Sequence, residues 1–315
     1  MAGNPSRKGK PRKRKPAKRR FLLFFLPAIL AVSAVAAVLL FQLRHDEGKL
    51  PLPMPILKDQ AKKKPALPIY EEPPSRPAPI RAAGKTTTTA KSPFPASKPR
   101  IAIIVDDMGY RHDIGKDLLS LDLPLSFAFL PFAPYNEQLL ALVQAKGRDI
   151  LLHLPLEAAD RKWDPGPGKL TTAMDAAMLA AELRKNLQTV PQAIGVNNHM
   201  GSRFTADPAA MRSLLEAVRD LNLFFVDSLT SPASTAYTLA GQMGIKTERR
   251  NVFLDNELMP EKIIDQLKTL VTHAKKHGQA IGICHPHPAT VVALRRYQEE
   301  LLAQAHVVGI QQLVH

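Results

Sequence analysis

Carboxylates and imidazoles recur in this chain at six points where apolar runs give way to polar residues. Val105-Asp106-Asp107-Met108-Gly109 sets two acids side by side, and His153 stands in Leu151-Leu152-His153-Leu154-Pro155-Leu156-Glu157. His199 follows Asn197-Asn198, Asp227 follows Phe224-Phe225-Val226, and Asp255 follows Val252-Phe253-Leu254. His285-Pro286-His287-Pro288 carries two imidazoles at i and i+2 on a backbone stiffened by proline. These are the ingredients of metal-assisted hydrolysis. One Asp with two His suits Zn²⁺ or a similar divalent ion and leaves positions for water and substrate. Such a metal brings the pKa of bound water toward neutrality and polarises a carbonyl. A nearby carboxylate can then take a proton while a histidine across the site delivers one to the leaving group. Adjacent acids leaving a strand point in different directions, so one can serve the metal and the other the proton. Gly109 permits the tight turn that follows.

Each residue also has a plainer role open to it. The paired acids can cap the next helix, His153 can be a satisfied core histidine, and the His-Pro-His-Pro stretch can be a rigid surface loop. Packing explains His199 poorly, because it lies in a polar turn. What favours a site is the elements that carry these residues. Short apolar runs predict strands at 101–105, 125–130, 150–154, 193–196, 224–226, 252–254, 280–284 and 307–310. Three- and four-residue apolar spacing predicts helices at 136–146, 174–188, 208–221, 260–277 and 290–305, with Pro208 and Pro260 as first-turn residues. Alternating strands and helices make a parallel α/β fold, and seven or eight units in this length fit a barrel better than an open nucleotide-binding sheet. In such barrels the strand C-termini converge on one mouth, which gathers the scattered acids and histidines.

Other chemistries lack a positive signal. There is no G-x-x-x-x-G-K-[ST], no strand-linked G-x-G-x-x-G and no G-x-S-x-G, so neither nucleotide binding nor a serine hydrolase is indicated. The single cysteine, Cys284, ends an apolar strand and reads as buried and inert. Trp163 lies in a long loop, Lys162–Gly168, open to use as a lid or sugar-stacking surface or as a plain excursion.

Composition separates the chain into parts. The 315 residues carry a net charge of +15, but ten basic residues and no acid fall in 1–20. Residues 42–99 hold 11 basic and 5 acidic residues, which leaves 100–315 at −1. A nucleic-acid-binding domain keeps its basic face on the folded part, so nucleic acid is not an expected partner. Phe21–Phe41 is 21 uncharged residues. At 1.5 Å per residue it makes about 31 Å of helix, enough to cross a bilayer core. It exceeds the apolar region of a cleaved signal peptide, and its Leu-Leu-Phe-Gln end is a poor cleavage site. The expectation is therefore an uncleaved inner-membrane signal anchor with a cytoplasmic basic tail at 1–20. With 12 of the 28 prolines, residues 42–99 read as a disordered tether.

Taken together, Ile103-Ile104-Val105-Asp106-Asp107-Met108-Gly109, Leu152–Glu157, Asn197–Ser202, Phe225-Val226-Asp227-Ser228 and the His-Pro-His-Pro loop resemble the divergent polysaccharide deacetylase family over essentially all of 100–315. The resemblance implies a distorted (β/α)₇ barrel. It implies Asp106 as base and Asp107 and His153 as metal ligands. The family relatives' second ligand histidine would fall at Glu157, so His199 is taken as the third ligand. Their oxyanion-hole arginine-proline-tyrosine motif is also absent, and Ile283-Cys284-His285 resembles their late leucine-x-histidine motif. His285, or else His287, is then the acid, with Asp227 orienting a histidine. The function expected is a membrane-anchored, periplasm-facing, metal-dependent hydrolase, with zinc as the metal, deacetylating an envelope glycan. A non-catalytic envelope glycan-binding or scaffold protein of the same fold is the alternative, and a hydrolase of a non-acetyl amide a weaker one.

Overall fold

A computed structural model describes residues 98–315. The basic tail, the apolar span and the tether expected before residue 98 lie outside the described residues. Among those described, no helix is long and apolar enough to cross a membrane.

The described chain alternates strand and helix. The strands are β1 Arg100–Met108, β2 Ser126–Phe129, β3 Ile150–Leu156, β4 Gly195–Met200, β5 Phe224–Asp227, β6 Thr247–Arg249, β7 Val252–Phe253, β8 Gln279–Cys284 and β9 His306–Val307. The helices are α1 His112–Leu119, α2 Asn136–Ala145, α3 Ala176–Gln188, α4 Pro208–Asp220, α5 Ala236–Gln242, α6 Pro260–His277 and α7 Pro288–Gln304. Local chemistry sets the helix starts. The Asp175 side chain accepts from Met178 N, and that of Asp207 accepts from Ala209 N and Ala210 N. Pro208, Pro260 and Pro288 occupy first turns, where a missing N–H costs nothing.

Every named strand pair is parallel, in the order β6-β5-β4-β3-β2-β1-β8-β7, with β9 added to the start of β1. The two ends of this path, β6 and β7, belong to one extended segment. Its first half pairs with β5 and its second half with β8. The sheet is thus a curled, parallel half-barrel with a split strand along its seam.

The expected strands are present, but several run further than expected. β1 continues through Asp106 and Asp107, β3 continues three residues beyond His153, and β4 contains Asn197, Asn198 and His199. These residues therefore lie within strands and do not follow them. An apolar run marks where a strand is buried in fat, whereas the ladder needs only backbone N–H and C=O groups and carries on under polar side chains. The same bias hides β6, whose sequence is Thr-Glu-Arg, and the short helices α1 and α5.

Alternation along the strands sorts the core into two faces. Ile101, Ile103 and Val105 of β1 and Leu152 and Leu154 of β3 pack under the helices. Ala102 and Ile104, Leu151, Phe224 and Val226, and Ile281 and Ile283 pack inside the curl. Gly195 belongs where β4 passes Phe224, since a Cβ there would collide with the ring. The C-terminal segment closes the bottom: Ile310, Leu313 and Val314 join the inner cluster, and Ile310 N donates to Ser126 Oγ at 2.9 Å.

Ile310 is fully buried, so Ile310→Ala should lower the unfolding free energy by about 2–5 kcal/mol. Leu302→Ala, at a site 37% exposed, should stay within about 0.5 kcal/mol of the parent. Urea unfolding of the two variants checks this, and equal losses would refute the plug.

Candidate functional site

The inward face of the sheet changes character toward its C-terminal end. On β1 the inner series Ala102, Ile104 continues to Asp106; on β3, Leu151 continues to His153; on β8, Ile281 and Ile283 lead to His285. In register, His153 lies opposite Asn197 and Asn197 opposite Val226. Period-two alternation thus places a floor of apolar side chains beneath a layer of polar ones.

Strict alternation would send Asp107 to the helix side. It does not go there, because the β1–β2 register shifts between Val105 and Met108 and Asp107 adopts φ +53°. This left-handed residue in a bulge brings a second consecutive carboxylate inward. Gly109 follows at φ +108°, where a Cβ would strike Asn136 and Ala133. The expectation that the two acids diverge is corrected accordingly. Asp106 Oδ2 lies 3.7 Å and Asp107 Oδ1 3.2 Å from the same atom, His153 Nε2.

Asp107 Oδ1 is also 3.1 Å from His199 Nδ1. Asp107, His153 and His199 are all buried, and their ligand atoms lie within 4.8 Å of one another. Both contacts fall on the one oxygen and miss hydrogen-bond geometry, and among the described residues Asp107 Oδ2 and His199 Nε2 are buried with no partner. A tetrahedral cation about 2.0–2.1 Å from each donor would separate its ligands by about 3.3 Å, close to the observed contacts. The orphaned carboxylate and the donor types fit a divalent metal.

Asn197 holds this group in place. Its Nδ2 donates to Asp106 Oδ1 at 2.7 Å and to Ser228 Oγ at 3.3 Å, while its Oδ1 lies 2.9 Å from His153 Nδ1. With the amide so oriented, His153 Nδ1 carries a hydrogen and Nε2 turns toward the acids. The neighbouring carboxylates also differ in acidity. Burial pushes Asp106 above the ordinary carboxylate range despite His153, His285 and Asn197. Burial acts on Asp107 in the same sense, but His199 and His153 outweigh it and hold Asp107 well below that range.

His285 approaches from the opposite side. Its backbone N–H donates to Asp255 Oδ2 at 2.6 Å and its Nδ1 lies 3.0 Å from Asp255 Oδ1, while Thr290 Oγ1 donates to Oδ2 at 2.9 Å. Burial alone would lower the imidazole's pKa; Asp255 outweighs it and raises His285 to about 9. His287 is set back, with its ring centroid 6.3 Å from that of His285, and burial pushes its pKa down.

Among the described residues no histidine is hydrogen-bonded to Asp227, against the expectation that it orients one. Its Oδ1 accepts from Leu229 N at 2.8 Å and its Oδ2 from Ser234 Oγ at 2.7 Å, which spends the carboxylate on its own turn. Asp255 does the orienting instead. Glu157, four residues after His153, accepts from Thr172 N and Thr172 Oγ1 and pairs with Arg203, away from the triad. Cys284 is buried, and burial drives its thiol pKa well above the usual value.

A narrow cavity of about 40 Å³ opens over this layer, lined in part by Asp106, His153, His199, Ser228, Arg250, Phe253 and His285. Trp163 is not among its lining residues. Arg250 was not expected from sequence. The signal was an arginine in the split segment between two short strands, which reads as an ordinary charged loop.

A family profile, divergent polysaccharide deacetylase, matches residues 103–314. An uncharacterised protein of Haemophilus influenzae is 34% identical over 229 residues, covering 72% of this chain and 81% of that protein. The uncharacterised protein YibQ of Escherichia coli K12 is 34% identical over 205 residues, covering 65% of this chain and 63% of that one. The fold is also that of an uncharacterised protein from Agrobacterium tumefaciens, solved by crystallography. That structure aligns with a TM-score of 0.65 and 24% identity over 70% of this chain and 90% of its own. Since the profile takes in almost every described residue and the site together, the chain belongs to the divergent polysaccharide deacetylase family.

Proposed function

We propose that this protein is a metal-dependent hydrolase that removes acetyl groups from an envelope polysaccharide. The observation that carries the reading is the buried Asp107 carboxylate, one oxygen of which lies within 3.1–3.2 Å of two imidazole nitrogens while the other has no partner among the described residues. Asp107, His153 and His199 would hold the cation, and their mixed oxygen and nitrogen donors favour zinc. A divalent cation there supplies Lewis-acid polarisation of an acyl carbonyl and a water acidic enough to attack near neutral pH.

The chain's own residues divide the proton work. Asp107, held well below the usual range, stays ionised as a ligand. Asp106, raised by burial, takes a proton at Oδ2, since Oδ1 is engaged by Asn197 Nδ2. Two carboxylates with pKa values pushed apart are a recurrent arrangement for acid–base chemistry. His285 holds its proton at neutral pH and, oriented by Asp255, delivers it to the departing amine or hydroxyl.

The sequence supports a placement for this activity. The ten basic residues of 1–20 would stay in the cytoplasm, Phe21–Phe41 would cross the inner membrane, and 42–99 would tether the domain in the periplasm. An envelope glycan is the polymer within reach of such a domain.

The purified full-length protein should bind one equivalent of Zn²⁺, measured by elemental analysis and calorimetry. Asn197→Ala should weaken that affinity by about 10- to 100-fold, because Asn197 fixes the His153 ring. Asp107→Asn and His199→Ala should weaken it further. Full affinity in both ligand variants would remove the metal from this site.

Acetate release from acetylated cell-wall glycan should require the metal and fall by roughly 100- to 10,000-fold in Asp106→Asn while metal binding persists. Stoichiometric metal with no acetate from any envelope polymer would instead identify a glycan-binding protein of the same fold.

The pH profile follows from the two shifted groups. His285 is raised, so its proton is present at neutral pH and lost as pH rises through about 9. The rate should therefore decline above about pH 9, and on the acid side as Asp106 becomes protonated. Asp255→Asn should move the alkaline limb to lower pH, because it removes the charge that raises His285. An unmoved limb would exclude His285 as the acid. The same sign applies to stability: the His285–Asp255 pair contributes fully below the ordinary His value, and the contribution is lost through about pH 9.

A further inference from the structure

The split strand places a cation in the wall of this cavity that the hydrolytic steps above do not use. Arg250 sits between β6 and β7, where the segment changes partner from β5 to β8. Its Nε donates to Ser228 O at 2.7 Å and its Nη2 to Leu229 O at 2.8 Å. Its guanidinium carbon lies 5.2 Å from the Phe253 ring, and Phe253 in turn lies 5.1 Å from His285. Three supports fix the plane of the head group, so its direction is built in.

A guanidinium carries five N–H groups in a planar fork. The two backbone carbonyls take the edge formed by Nε and Nη2. Among the described residues no acceptor is found for the adjoining edge, Nη1 with the second hydrogen of Nη2. Asp227 and Asp106 are its charged neighbours, acting at longer range than an ion pair. A half-buried, oriented cation without a contacting carboxylate is costly to keep, and its open edge matches the two oxygens of a carboxylate. Arg250 lines the same cavity as Asp106, His153 and His285.

We propose that Arg250 is a specificity-determining residue that pairs with a carboxylate on the substrate, so that the preferred glycan is an N-acetyl sugar bearing an acid group. This rests on the glycan-hydrolase reading of the site and deepens it. A carboxylate fits better than a phosphate monoester. Asp106 and Asp107 lie in the same site, and a dianion would meet more repulsion than a monoanion. A neutral sugar would leave the fork unpaired, which lowers its affinity without blocking the chemistry.

The test measures binding apart from turnover. Full-length protein carrying Asp106→Asn is titrated calorimetrically with N-acetylmuramic acid and with its methyl ester, which keeps the sugar and removes the charge. The comparison is repeated with an N-acetylhexosaminuronic acid and its ester. At least one acid should bind roughly tenfold more tightly than its ester, by a margin that shrinks with added salt. Adding Arg250→Gln should bring the ratio close to one, and Arg250→Lys should retain part of it. Equal binding of acid and ester in both pairs, or a preference that survives Arg250→Gln, overturns the proposal while leaving the hydrolase reading intact. Failure of every acid and ester to bind overturns the proposal, and acetate release from the polymer still decides the hydrolase reading. The acid–ester comparison with Arg250 in place does not depend on how well its variants fold.

Discussion

One backbone conformation governs this site. Asp107 at φ +53° breaks the alternation of β1, and without it the two carboxylates would sit on opposite faces of the sheet. A left-handed residue other than glycine costs about 1–2 kcal/mol, less for aspartate than for most. The surrounding structure imposes it: β1 is bonded to β2 and β8, and Leu130 N and Tyr135 N cap its end through Met108 O and Gly109 O. Strain of this kind at a polar, buried residue points to function. Packing gives no reason to bend a strand buried from Ile101 to Met108 so that two like charges approach each other.

The consequence is electrostatic. Two adjacent carboxylates in one low-dielectric pocket cannot share a single environment. Asp106 meets one amide and the fringe of His153, and burial dominates its acidity. Asp107 meets two imidazoles, which overcome the same burial. Asn197 and Asp255 play matching parts on the two sides, each fixing the ring orientation of one histidine through Nδ1. The partners differ, an amide for His153 and a carboxylate for His285. Both imidazoles nonetheless sit among carboxylates that raise their pKa against burial, Asp106 and Asp107 for His153 and chiefly Asp255 for His285.

Much of this was legible in the sequence, and the failures have a common cause. Apolar runs located the strands, and the strand-end rule gathered Asp106, Asp107, His153, His199 and His285 into one layer. The runs also ended too early, because a strand entering a polar cavity keeps its ladder while losing its hydrophobic signature. That is why β3 and β4 extend through His153 and His199. For Asp227 the sequence offers a strand-end position and a place in the family resemblance, but no partner. A carboxylate at a strand end has two candidate uses, its own turn or a neighbour's histidine, and only the positions of Leu229 N and Ser234 Oγ decide between them. Asp255 has the same sequence context and the opposite outcome. Arg250 carries no hydrophobic or motif signal, since its place depends on a seam in the sheet that strand counting does not reveal.

The seam also explains why a specificity element would arise there. The strands that carry the triad, β1, β3 and β4, are each paired on both edges, so their side chains are fixed by two ladders. At Arg250 and Asn251 the segment leaves β5 and joins β8, with Arg250 N bonded to Asp227 O and Asn251 N to Ile281 O. Two residues there are released from one continuous register, and the side chain can be aimed by its own contacts with Ser228, Leu229 and Phe253. Catalytic groups tolerate little displacement and gain from the doubly paired strands. A recognition group must match whatever the substrate carries. The break in the ladder allows that side chain to change while leaving Asp107, His153 and His199 in place.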